Sequence, residues 1–590
     1  MSALYSSIYK TAYRKAERKV ARRIRRRGGR KKAGVFTLML LILMAAGVWW
    51  TLQKLPNSSY TEPDWRGLKQ PILVQGELTG YSASGQGSSL MLPLALVQEY
   101  VDPYIYEDEG SETVVFTTAS EVLSLSAGTL KGTRNGKEAS FEQTVERVDG
   151  KLYVPAKLLK ELYYTAYYEH PGTGAVLLSR AGDHLELGEA VPAGKQSFAA
   201  MRQSPSIKSP ILQDMPPGER LRIWGEEEQG WLKVQTDQGY TGYVPSDQVK
   251  PKGNKIYPQR IHEPSRADLE WRDRSVNLTW EAVYSRNPDP DKLGQLPGVN
   301  VVSPTWFEIT SEAGDVTSKV SQDYVTWAHK LDKEVWGVLT NSFNPDITTA
   351  VLSTYDTRAA LITEVIRLSR AHGLDGINID FENVYTKDKQ NLIAFMRELY
   401  PRAKELGLIV SIDVTPKSSS EMWSVFLDRR ELAHAVDYMM VMSYDEHWAA
   451  SPEAGSVSSL PWAERTVHRI LEEDEVPASK LVLGIPLYTR IWTEEGVEGG
   501  GKVTSKAVGM EAVQSLLKEK ALTPVYDELT GQNYVQYQEE QSLNKIWIED
   551  EISLKARVEL AHQYDLGGIA SWSRMLGSSE AWEVLKSIHK

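Results

Sequence analysis

Residues 375–382 read Asp-Gly-Ile-Asn-Ile-Asp-Phe-Glu and carry a polar side chain at every second position from Asn378 onward. Side chains alternate between the two faces of a strand, so Asn378, Asp380 and Glu382 are expected in one row. Two neighbouring carboxyl groups can divide the work of acid catalysis, because one donates a proton while the other stabilises developing positive charge. This strand end is therefore the candidate catalytic site.

A strand with this pattern is typical of a barrel of parallel strands, in which helices cover the outside and catalytic groups lie at the carboxyl ends. Glu382 would then lie at the mouth of the barrel. A structural alternative is that these acids cap the following helix or pair with a neighbouring arginine. Asp375 is out of phase with the row and adjoins Gly376, which favours a structural role for it.

The octapeptide resembles the Asp-x-x-Asp-x-Asp-x-Glu signature of family 18 glycoside hydrolases, the chitinase-like enzymes. Asn378 stands where that family usually has its middle Asp, and in this it resembles the branch of spore-cortex and cell-wall N-acetylglucosaminidases. The resemblance implies a retaining mechanism in which the acetamido group of the substrate is the nucleophile. It implies that Glu382 is the general acid and later the base, and that Asp380 orients the acetamido group and stabilises the oxazolinium cation.

A second motif supplies further pocket candidates. Residues 442–445 read Met-Ser-Tyr-Asp and resemble the family's Met-x-Tyr-Asp. The resemblance implies that the Tyr444 hydroxyl holds the acetamido carbonyl of the substrate. It also implies that Met442 and Asp445 shape the pocket for the sugar at the cleavage site.

Trp572 is expected to form the floor of that pocket, because the apolar face of a pyranose packs well on an indole ring. Tyr488, Arg490 and Trp306 are additional candidates for substrate binding, although each could instead belong to the core or the rim. The ten histidines show no HExxH or other paired spacing, so neither a metal nor a cofactor is expected.

The C-terminal half alternates apolar strand candidates with helical segments, of which Thr357 to His372, ending at Gly373, is the clearest. Eight strands are predicted, the number that a (β/α)8 TIM barrel requires. They begin near Asn277, Asn300, Glu334, Gly376, Ile409, Tyr438, Lys480 and Gly567. The long interval between the last two indicates a small α+β insertion at about 492–550, which resembles the one that deepens the cleft in many family 18 members.

The N-terminus combines strong positive charge with a hydrophobic stretch. Through Lys32 there are thirteen Lys or Arg residues and one acid, although the whole chain carries a net charge of −11. Residues 33–52 contain no charge, which predicts a transmembrane anchor after a basic cytoplasmic segment, 1–32, with the catalytic domain extracellular. A cleaved signal peptide is the alternative. The basic arm could bind nucleic acid, but its position before the span favours an anionic membrane surface.

The region between the span and the barrel is predicted to hold two small modules. A stalk, 53–70, precedes an α+β module, 71–183, which resembles the copper amine oxidase N-terminal-like domain in its Leu92-Pro93-Leu94, Asn135-Gly136-Lys137 and Tyr153-Val154-Pro155 segments. The module contains no His or acidic cluster that suggests a metal, so spacing or wall contact is expected of it. A linker, 184–205, would follow.

Residues 206–252 show short strands around Gly turns and resemble bacterial SH3-like domains. Four aromatic residues could form a stacking surface, although two of them are expected in the core: Trp224, Trp231, Tyr240 and Tyr243. The resemblance implies binding of cell-wall peptide or glycan. The remaining residues, 253–590, are assigned to the barrel.

The chain has no cysteine, which excludes disulfides and thiolate chemistry. Together the patterns predict a single-pass, membrane-anchored glycosidase at the cell surface that hydrolyses β-1,4-linked N-acetylglucosamine polymers, either peptidoglycan or chitin-like. A protein of another class is the alternative: a lectin-like cell-wall protein that binds carbohydrate on an inactive barrel. The presence of Glu382 favours the enzyme.

Overall fold

The computed structural model describes residues 14, 17, 18, 36–108, 110–227, 230–259, 274–495 and 502–589. The chain divides into two compact units, Met1–Ala83 with Thr165–Pro258 and Ser84–Tyr164 with Gln259–Lys590. The basic segment predicted over 1–32 lies outside the described residues except at three positions, as do residues 33–35 of the predicted span.

Among the described residues, one helix is long and apolar enough to cross a membrane: α1, Phe36–Lys54, with a mean hydropathy of 1.7. It covers most of the span predicted over 33–52. A signal sequence near the N-terminus meets the same criterion of length and composition, so the choice between an anchor and a cleaved signal remains a prediction.

Residues 71–179 form short strands and two helices that contribute to both units. They are β1 Pro71–Val74, β2 Glu77–Ser82, β3 Met91–Pro93, α2 Leu94–Tyr100, β4 Tyr106–Asp108, β5 Thr113–Thr117, β6 Val122–Ser126, β7 Lys131–Arg134, β8 Lys137–Ser140, β9 Glu146–Val148, β10 Lys151–Pro155, α3 Ala156–Tyr163, β11 Ala166–Glu169 and β12 Val176–Ser179. In the first unit, β1, β2, β11 and β12 make a four-stranded sheet. The elements from β3 to α3 belong to the second unit. The boundaries 71–183 of the predicted module thus enclose parts of two units.

The first unit also contains a seven-stranded antiparallel sheet in the order β15-β14-β18-β17-β16-β13-β19. Its strands are β13 His184–Ala190, β14 Ala199–Arg202, β15 Ile211–Met215, β16 Arg220–Glu227, β17 Trp231–Thr236, β18 Thr241–Pro245 and β19 Val249–Ile256. Residues 184–205 were expected to be a linker and instead supply β13 and β14. The reason is packing, because Ala190 and Ala199 enter the core of the sheet.

The aromatic residues of this sheet divide between core and surface. Trp231 is buried, whereas Trp224, Tyr240 and Tyr243 are half-buried. The Trp224 indole donates a hydrogen bond to Gln235 Oε1 at 3.3 Å. Three of the four rings therefore keep part of their surface accessible, which leaves a stacking role open to them.

The segment that follows α1 pairs with this sheet instead of forming a free stalk over 53–70. The Thr61 amide donates to the Ile211 carbonyl at 2.9 Å. Farther along the segment, the Trp65 ring packs on Tyr240 with 5.7 Å between ring centroids. An extended segment satisfies its own backbone groups by adding to an open sheet edge, which explains why these residues are ordered against it.

The second unit is built on eight parallel strands with their connecting helices. The elements are β20 Val276–Glu281, β21 Val301–Pro304, β22 Phe307–Ile309, β23 Val316–Ser318, α4 Gln322–Lys330, β24 Glu334–Thr340, α5 Pro345–Leu352, α6 Tyr355–His372, β25 Gly376–Asp380, α7 Lys389–Lys404, β26 Ile409–Val414, α8 Arg429–Ala433, β27 Tyr438–Met442, α9 Leu460–Glu473, β28 Leu481–Pro486, β29 Tyr488–Glu495, β30 Lys502–Gly509, α10 Met510–Glu519, β31 Val525–Asp527, β32 Gln532–Glu539, β33 Ser542–Ile548, α11 Glu551–Gln563, β34 Gly568–Trp572 and α12 Ser579–Leu585.

The parallel strands β20, β21, β24 to β28 and β34 close into a ring. Each pairs with its two neighbours in this order, and β34 completes the circle by pairing with both β28 and β20. This confirms the predicted (β/α)8 barrel, and all eight predicted strands are present. The carboxyl ends of the strands therefore meet at one mouth.

Side chains of the ring alternate between an inner and an outer core. The inner cluster contains Trp280, Val338 and Met440, while Ile377 and Ile379 belong to the outer cluster beneath the helices. Helix α6 follows the expected pattern and ends at Gly373, whose φ of 67° lies in the left-handed region that glycine adopts without strain.

The predicted insertion lies between β28 and β34 and consists of β29 to β33 with α10. Its five strands form a sheet in the order β30-β29-β33-β32-β31. Val513 of α10 packs on Ile546 and Ile548 to give the insertion a core of its own. Residues 496–501 lie outside the described residues.

Residues 84–164 pack directly on helices α6 and α7 of the barrel. At the centre of this contact, Arg358 of α6 forms a fully buried ion pair with Glu398 of α7 at 3.0 Å. The Tyr106 hydroxyl donates to Glu398 at 2.6 Å and also contacts Arg358. A buried ion pair needs its remaining hydrogen-bonding groups satisfied, and Tyr106 from the small module satisfies one of them.

A second set of contacts lies beside the first. Arg397 of α7 forms an ion pair with Asp102 at 2.7 Å and lies over the Tyr104 ring. The Tyr355 amide, at the start of α6, donates to Asp108 at 3.1 Å. Residues 84–164 are therefore a fixed part of the unit that contains the barrel.

Candidate active site

The row of polar residues predicted on β25 is present and points into the barrel mouth. Asn378 is fully buried inside the ring, and Asp380 ends the strand. On the opposite face, Phe381 stacks on Phe395 of α7 with 5.6 Å between ring centroids. The alternation that the sequence predicts thus continues through Glu382.

The backbone of Glu382 is held by Asn341, a buried residue that follows β24. The Glu382 amide donates to Asn341 Oδ1 at 3.2 Å, and Asn341 Nδ2 donates to the Glu382 carbonyl at 2.7 Å. Because Nδ2 also donates to Thr348 at 2.8 Å, the amide group of Asn341 is fixed in this orientation. The backbone that carries the Glu382 side chain is therefore held rigidly at the mouth of the barrel.

Burial controls the protonation of the two acids. It raises the pKa of Asp380 from 3.8 to about 7, and no described group donates a hydrogen bond to the buried Asp380 Oδ1. Burial also raises the pKa of Glu382 well above its ordinary value, with further contributions from the charges of Asp380 and Asp445. Near neutral pH, Glu382 therefore keeps a proton that it can donate.

A third buried carboxyl group, that of Asp413 on β26, completes the acidic cluster. Asn378 Nδ2 donates to Asp413 Oδ1 at 2.9 Å, and the Trp280 indole donates to Asn378 Oδ1 at 3.0 Å. The pKa of Asp413 is raised well above its ordinary value, first by burial and then by the charge of Asp380. The sequence pattern gave a signal for Asp413, because Ser411 and Asp413 alternate inward on β26 as Asn378 and Asp380 do on β25.

Aromatic rings line the mouth beside the acids. Tyr444 meets Trp280 edge to face at 6.5 Å, and Trp572 lies against the same indole at 6.1 Å between ring centroids. Burial and the nearby carboxyl groups raise the pKa of Tyr444 well above its ordinary value. Its hydroxyl therefore stays protonated and available as a hydrogen-bond donor.

The other pocket candidates form a connected group on the loop after β27 and on β29. The Tyr488 hydroxyl donates to Asp445 Oδ1 at 2.6 Å, and Arg490 approaches the same oxygen at 3.4 Å. The Arg490 guanidinium also lies over the Tyr488 ring. Met442 ends β27 and is buried. Asp445 keeps 44 % of its side chain exposed, so it can still contact a ligand.

Trp306 lies apart from these residues. It is 0 % exposed, packs edge to face on Tyr324 at 5.5 Å and belongs to the outer core. Its indole donates to Asn287 at 2.6 Å. A fully covered ring offers no face to a sugar, so this candidate has a packing role in the structure, contrary to the substrate contact considered from the sequence.

Sequence reasoning also missed groups that tie neighbouring strand ends together. Glu281 at the end of β20 is buried and pairs with Arg574, which follows β34 and Trp572. The Trp492 indole of β29 donates to the Gly455 carbonyl at 2.8 Å, which fixes the insertion to the loop after β27. Such long-range pairs give no local sequence signal, because the partners are far apart along the chain.

Exposed aromatic residues extend around the mouth. Phe343 after β24 and Trp423 after β26 lie 6.4 Å apart between ring centroids, with 52 % and 41 % of their surfaces exposed. Trp448, on the loop after β27, is also exposed. Among the residues that the structure describes, no group of three or more His, Cys, Asp or Glu side chains is arranged to hold a metal ion.

The barrel and its acidic mouth are those of a glycoside hydrolase. Residues 345–576 match the family model of Glycosyl hydrolases family 18, and residues 197–250 match that of the Bacterial SH3 domain. The chain therefore carries a catalytic domain of glycosyl hydrolase family 18 together with a bacterial SH3 domain.

Its sequence identity to individual proteins is low. The chain is 25% identical over 285 residues to the uncharacterized glycosylase YvbX of Bacillus subtilis (strain 168), covering 46% of this chain and 80% of that protein. It is 25% identical over 258 residues to the cortical fragment-lytic enzyme of Bacillus anthracis, covering 42% of this chain and 58% of that enzyme. The solved structure of the Bacillus megaterium QM B1551 spore cortex-lytic enzyme SleL aligns with a TM-score of 0.49 and 21% identity, covering 58% of this chain and 78% of that one.

The raised pKa of Asp380, about 7 in place of 3.8, predicts how stability depends on pH. Between these values the folded protein holds a proton that the unfolded chain has lost, so the free energy of unfolding falls as pH rises from about 4 to about 7. Asp380→Asn removes this penalty and should raise the free energy of unfolding at pH 8 by on the order of 2–4 kcal/mol.

Urea unfolding of both proteins between pH 4 and pH 8 measures this difference. The gain should shrink towards pH 4, where Asp380 is protonated in both states. Asp356→Asn, an exposed control on α6, should follow the parent at every pH. A pH-independent difference between Asp380→Asn and the parent would contradict the burial of an ionisable Asp380.

Proposed function

We propose that this protein is a retaining, cell-surface glycosidase that hydrolyses β-1,4-linked N-acetylglucosamine polymers, with peptidoglycan as the preferred substrate class. The observation that carries this proposal is the pair of half-buried acids at the end of β25, where burial raises the pKa of Asp380 to about 7 and the pKa of Glu382 well above its ordinary value. One group can donate a proton at the same pH at which the other supplies negative charge.

In the proposed first step, Glu382 donates its proton to the glycosidic oxygen as the bond to the anomeric carbon breaks. The acetamido carbonyl oxygen of the same sugar attacks that carbon and forms an oxazolinium ion. Asp380 stabilises the positive charge and holds the acetamido N–H, while Tyr444 donates a hydrogen bond to the acetamido carbonyl oxygen. This intermediate leaves Glu382 ionised.

In the second step, Glu382 takes a proton from water, which attacks the anomeric carbon from the face that the leaving group occupied. The ring of the oxazolinium ion opens and the acetamido group is restored. The carbon has then been inverted twice, so the β configuration is retained. Trp572 supports the apolar face of the sugar, and Asp445, held by Tyr488 and Arg490, binds a hydroxyl group at the rim.

Two features favour peptidoglycan over chitin as the substrate class. The relatives include cortical fragment-lytic enzymes of two Bacillus species, whose names state that they lyse cortical fragments. The chain also carries a bacterial SH3 domain, to which we assign binding of cell-wall peptide or glycan. The exposed rings of Phe343, Trp423 and Trp448 would stack on neighbouring sugars of a long glycan strand.

Membrane attachment forms a further part of the proposal. Helix α1 would span the bilayer with the N-terminus in the cytoplasm, because the preceding segment carries thirteen Lys or Arg residues. The SH3 domain and the barrel would then act outside the cell, next to the wall.

Glu382→Gln should lower kcat on purified peptidoglycan and on chitin oligomers by about 10²–10⁴-fold, the usual contribution of general acid–base catalysis. Binding of oligosaccharide should persist, because the amide keeps the shape of the carboxyl group. Mass spectrometry of the products measures both the rate and the bond that is cut.

The matched control is Glu453→Gln, which neutralises an exposed acid on the loop after β27 and should cleave like the parent. An unchanged rate in Glu382→Gln would remove this residue from the acid role. A parent protein that binds oligosaccharides but releases no product would be a lectin-like cell-wall protein.

Loss of the substrate acetyl group should abolish turnover, because the nucleophile belongs to the substrate. Replacement of the acetamido oxygen by sulfur should give a slow or trapped substrate. Proton NMR should detect the β anomer as the first product. Rapid cleavage of a de-N-acetylated substrate, or an α anomer formed first, would exclude this mechanism in favour of one with a nucleophile from the enzyme.

Full-length protein should fractionate with membranes, and protease added to protoplasts should leave only a fragment of about 50 residues that includes α1. A substitution that breaks the apolar run, such as Leu41→Arg, should reduce the membrane fraction, because a charge at the centre of a span opposes insertion. A soluble product that begins near Gly47 would instead identify a cleaved signal sequence.

A further inference from the structure

The orientation of the Asn378 side chain follows from its neighbour on β20. An indole N–H can only donate a hydrogen bond, so the atom of Asn378 that faces Trp280 Nε1 at 3.0 Å must be the amide oxygen. The amide nitrogen then faces Asp413 Oδ1 at 2.9 Å and donates to it. Position 378 consequently carries no exchangeable acid proton, although it lies between Trp280 and two carboxyl groups.

The strand register places Asp413 beside Asp380. Ile379 of β25 pairs with Ile412 of β26, so the next residue of each strand lies in the same inward row. Asp413 is only 4 % exposed. Its ionisable neighbours are Asp380 and Glu382 at the end of β25 and Tyr444 beyond the end of β27.

The buried carboxyl group of Asp413 and the half-buried ones of Asp380 and Glu382 thus share one end of the barrel. Among the described residues, no lysine or arginine forms an ion pair with Asp380, Glu382 or Asp413. Like charges this close cannot all form in a buried site, so the cluster keeps protons on some of its members. Burial and the charge of Asp380 raise the pKa of Asp413 strongly.

We propose that Asp413 is a positioning residue that keeps its proton while the enzyme works, which leaves Asp380 as the single buried negative charge beside the sugar. This inference rests on the proposed function of the same site. Protonated Asp413 accepts the hydrogen bond from Asn378 through Oδ1 and carries its own proton on Oδ2. The carboxyl group therefore orients the Asn378 amide without adding a second charge that would oppose ionisation of Asp380.

Asp413→Asn and Asp413→Leu separate this role from a purely structural one. An amide copies a protonated carboxyl group, because it is neutral, donates from one atom and accepts through the other. Leucine has a similar size but leaves the Asn378 amide without an acceptor. We expect kcat of Asp413→Asn to exceed that of Asp413→Leu by at least about tenfold, with KM changed much less than kcat.

The pH profile of kcat tests the charge of Asp413. If Asp413 is neutral in the working enzyme, both limbs of the profile should stay in place in Asp413→Asn. If Asp413 is ionised, its replacement removes a negative charge beside Asp380 and Glu382, and both limbs should move to lower pH by about one unit or more. Such a shift would overturn the proposal, and so would equal kcat values for the two variants.

Infrared spectroscopy measures the proton directly and needs no substrate. At neutral pH, Asp413→Asn should remove one protonated carboxyl C=O stretch from the spectrum of the parent, whereas Asp356→Asn should remove none. If the spectrum of the protein with Asp413→Asn lacks no such band relative to the protein without it, the proposal is overturned. This result does not depend on whether Asp413→Leu folds. A parent that cleaves no sugar polymer, but gives the expected spectrum, would refute the proposed function and leave the protonation of Asp413 standing.

Discussion

The catalytic end of this barrel depends on one physical constraint: its carboxyl groups are withdrawn from water, and no lysine or arginine in the part of the chain that the structure describes pairs with them. In water, Asp380, Glu382 and Asp413 would all ionise near neutral pH. Inside the ring, the loss of hydration raises the pKa of each of them, with the neighbouring charges adding to the effect for Glu382 and Asp413. Ionisation of these groups lowers the free energy of unfolding, so other interactions in the fold must offset this loss. The closed ring and its helical layer supply that stability through apolar burial.

The sequence predicted those parts of the site that follow from local periodicity. The period of two on β25 placed Asn378, Asp380 and Glu382 on one face, and the apolar runs identified all eight strands of the ring. It did not predict Asn341, because the pairing of its side chain with the Glu382 backbone depends on the register between β24 and β25. Trp306 was predicted at the site but lies in the outer core, because aromatic type alone does not distinguish a ring at the mouth from a ring in the core.

Outside the barrel, the errors concern two segments that were not predicted to belong to a sheet. Polar composition suggested a stalk at 53–70 and a linker at 184–205, yet both contain residues that pair with the sheet of the first unit. Backbone hydrogen bonds depend little on side-chain type, so a polar segment can join a sheet without showing a clear alternation, either at an edge, as Thr61 does, or between two other strands, as β13 does. Three residues after α1 ends at Lys54, the Asn57 amide already donates to the Ile207 carbonyl at 2.7 Å.

The chain leaves the first unit at residue 84, returns at residue 165 and leaves again at residue 259. No single cut in the gene therefore separates the two compact units. A fragment that begins at residue 259 lacks the Tyr106 hydroxyl that contacts the buried Arg358 and Glu398 pair. Its helices α6 and α7 would expose to solvent the surface that residues 84–164 cover in the whole protein. The interleaved order would therefore oppose the exchange of either unit between proteins by recombination at one boundary.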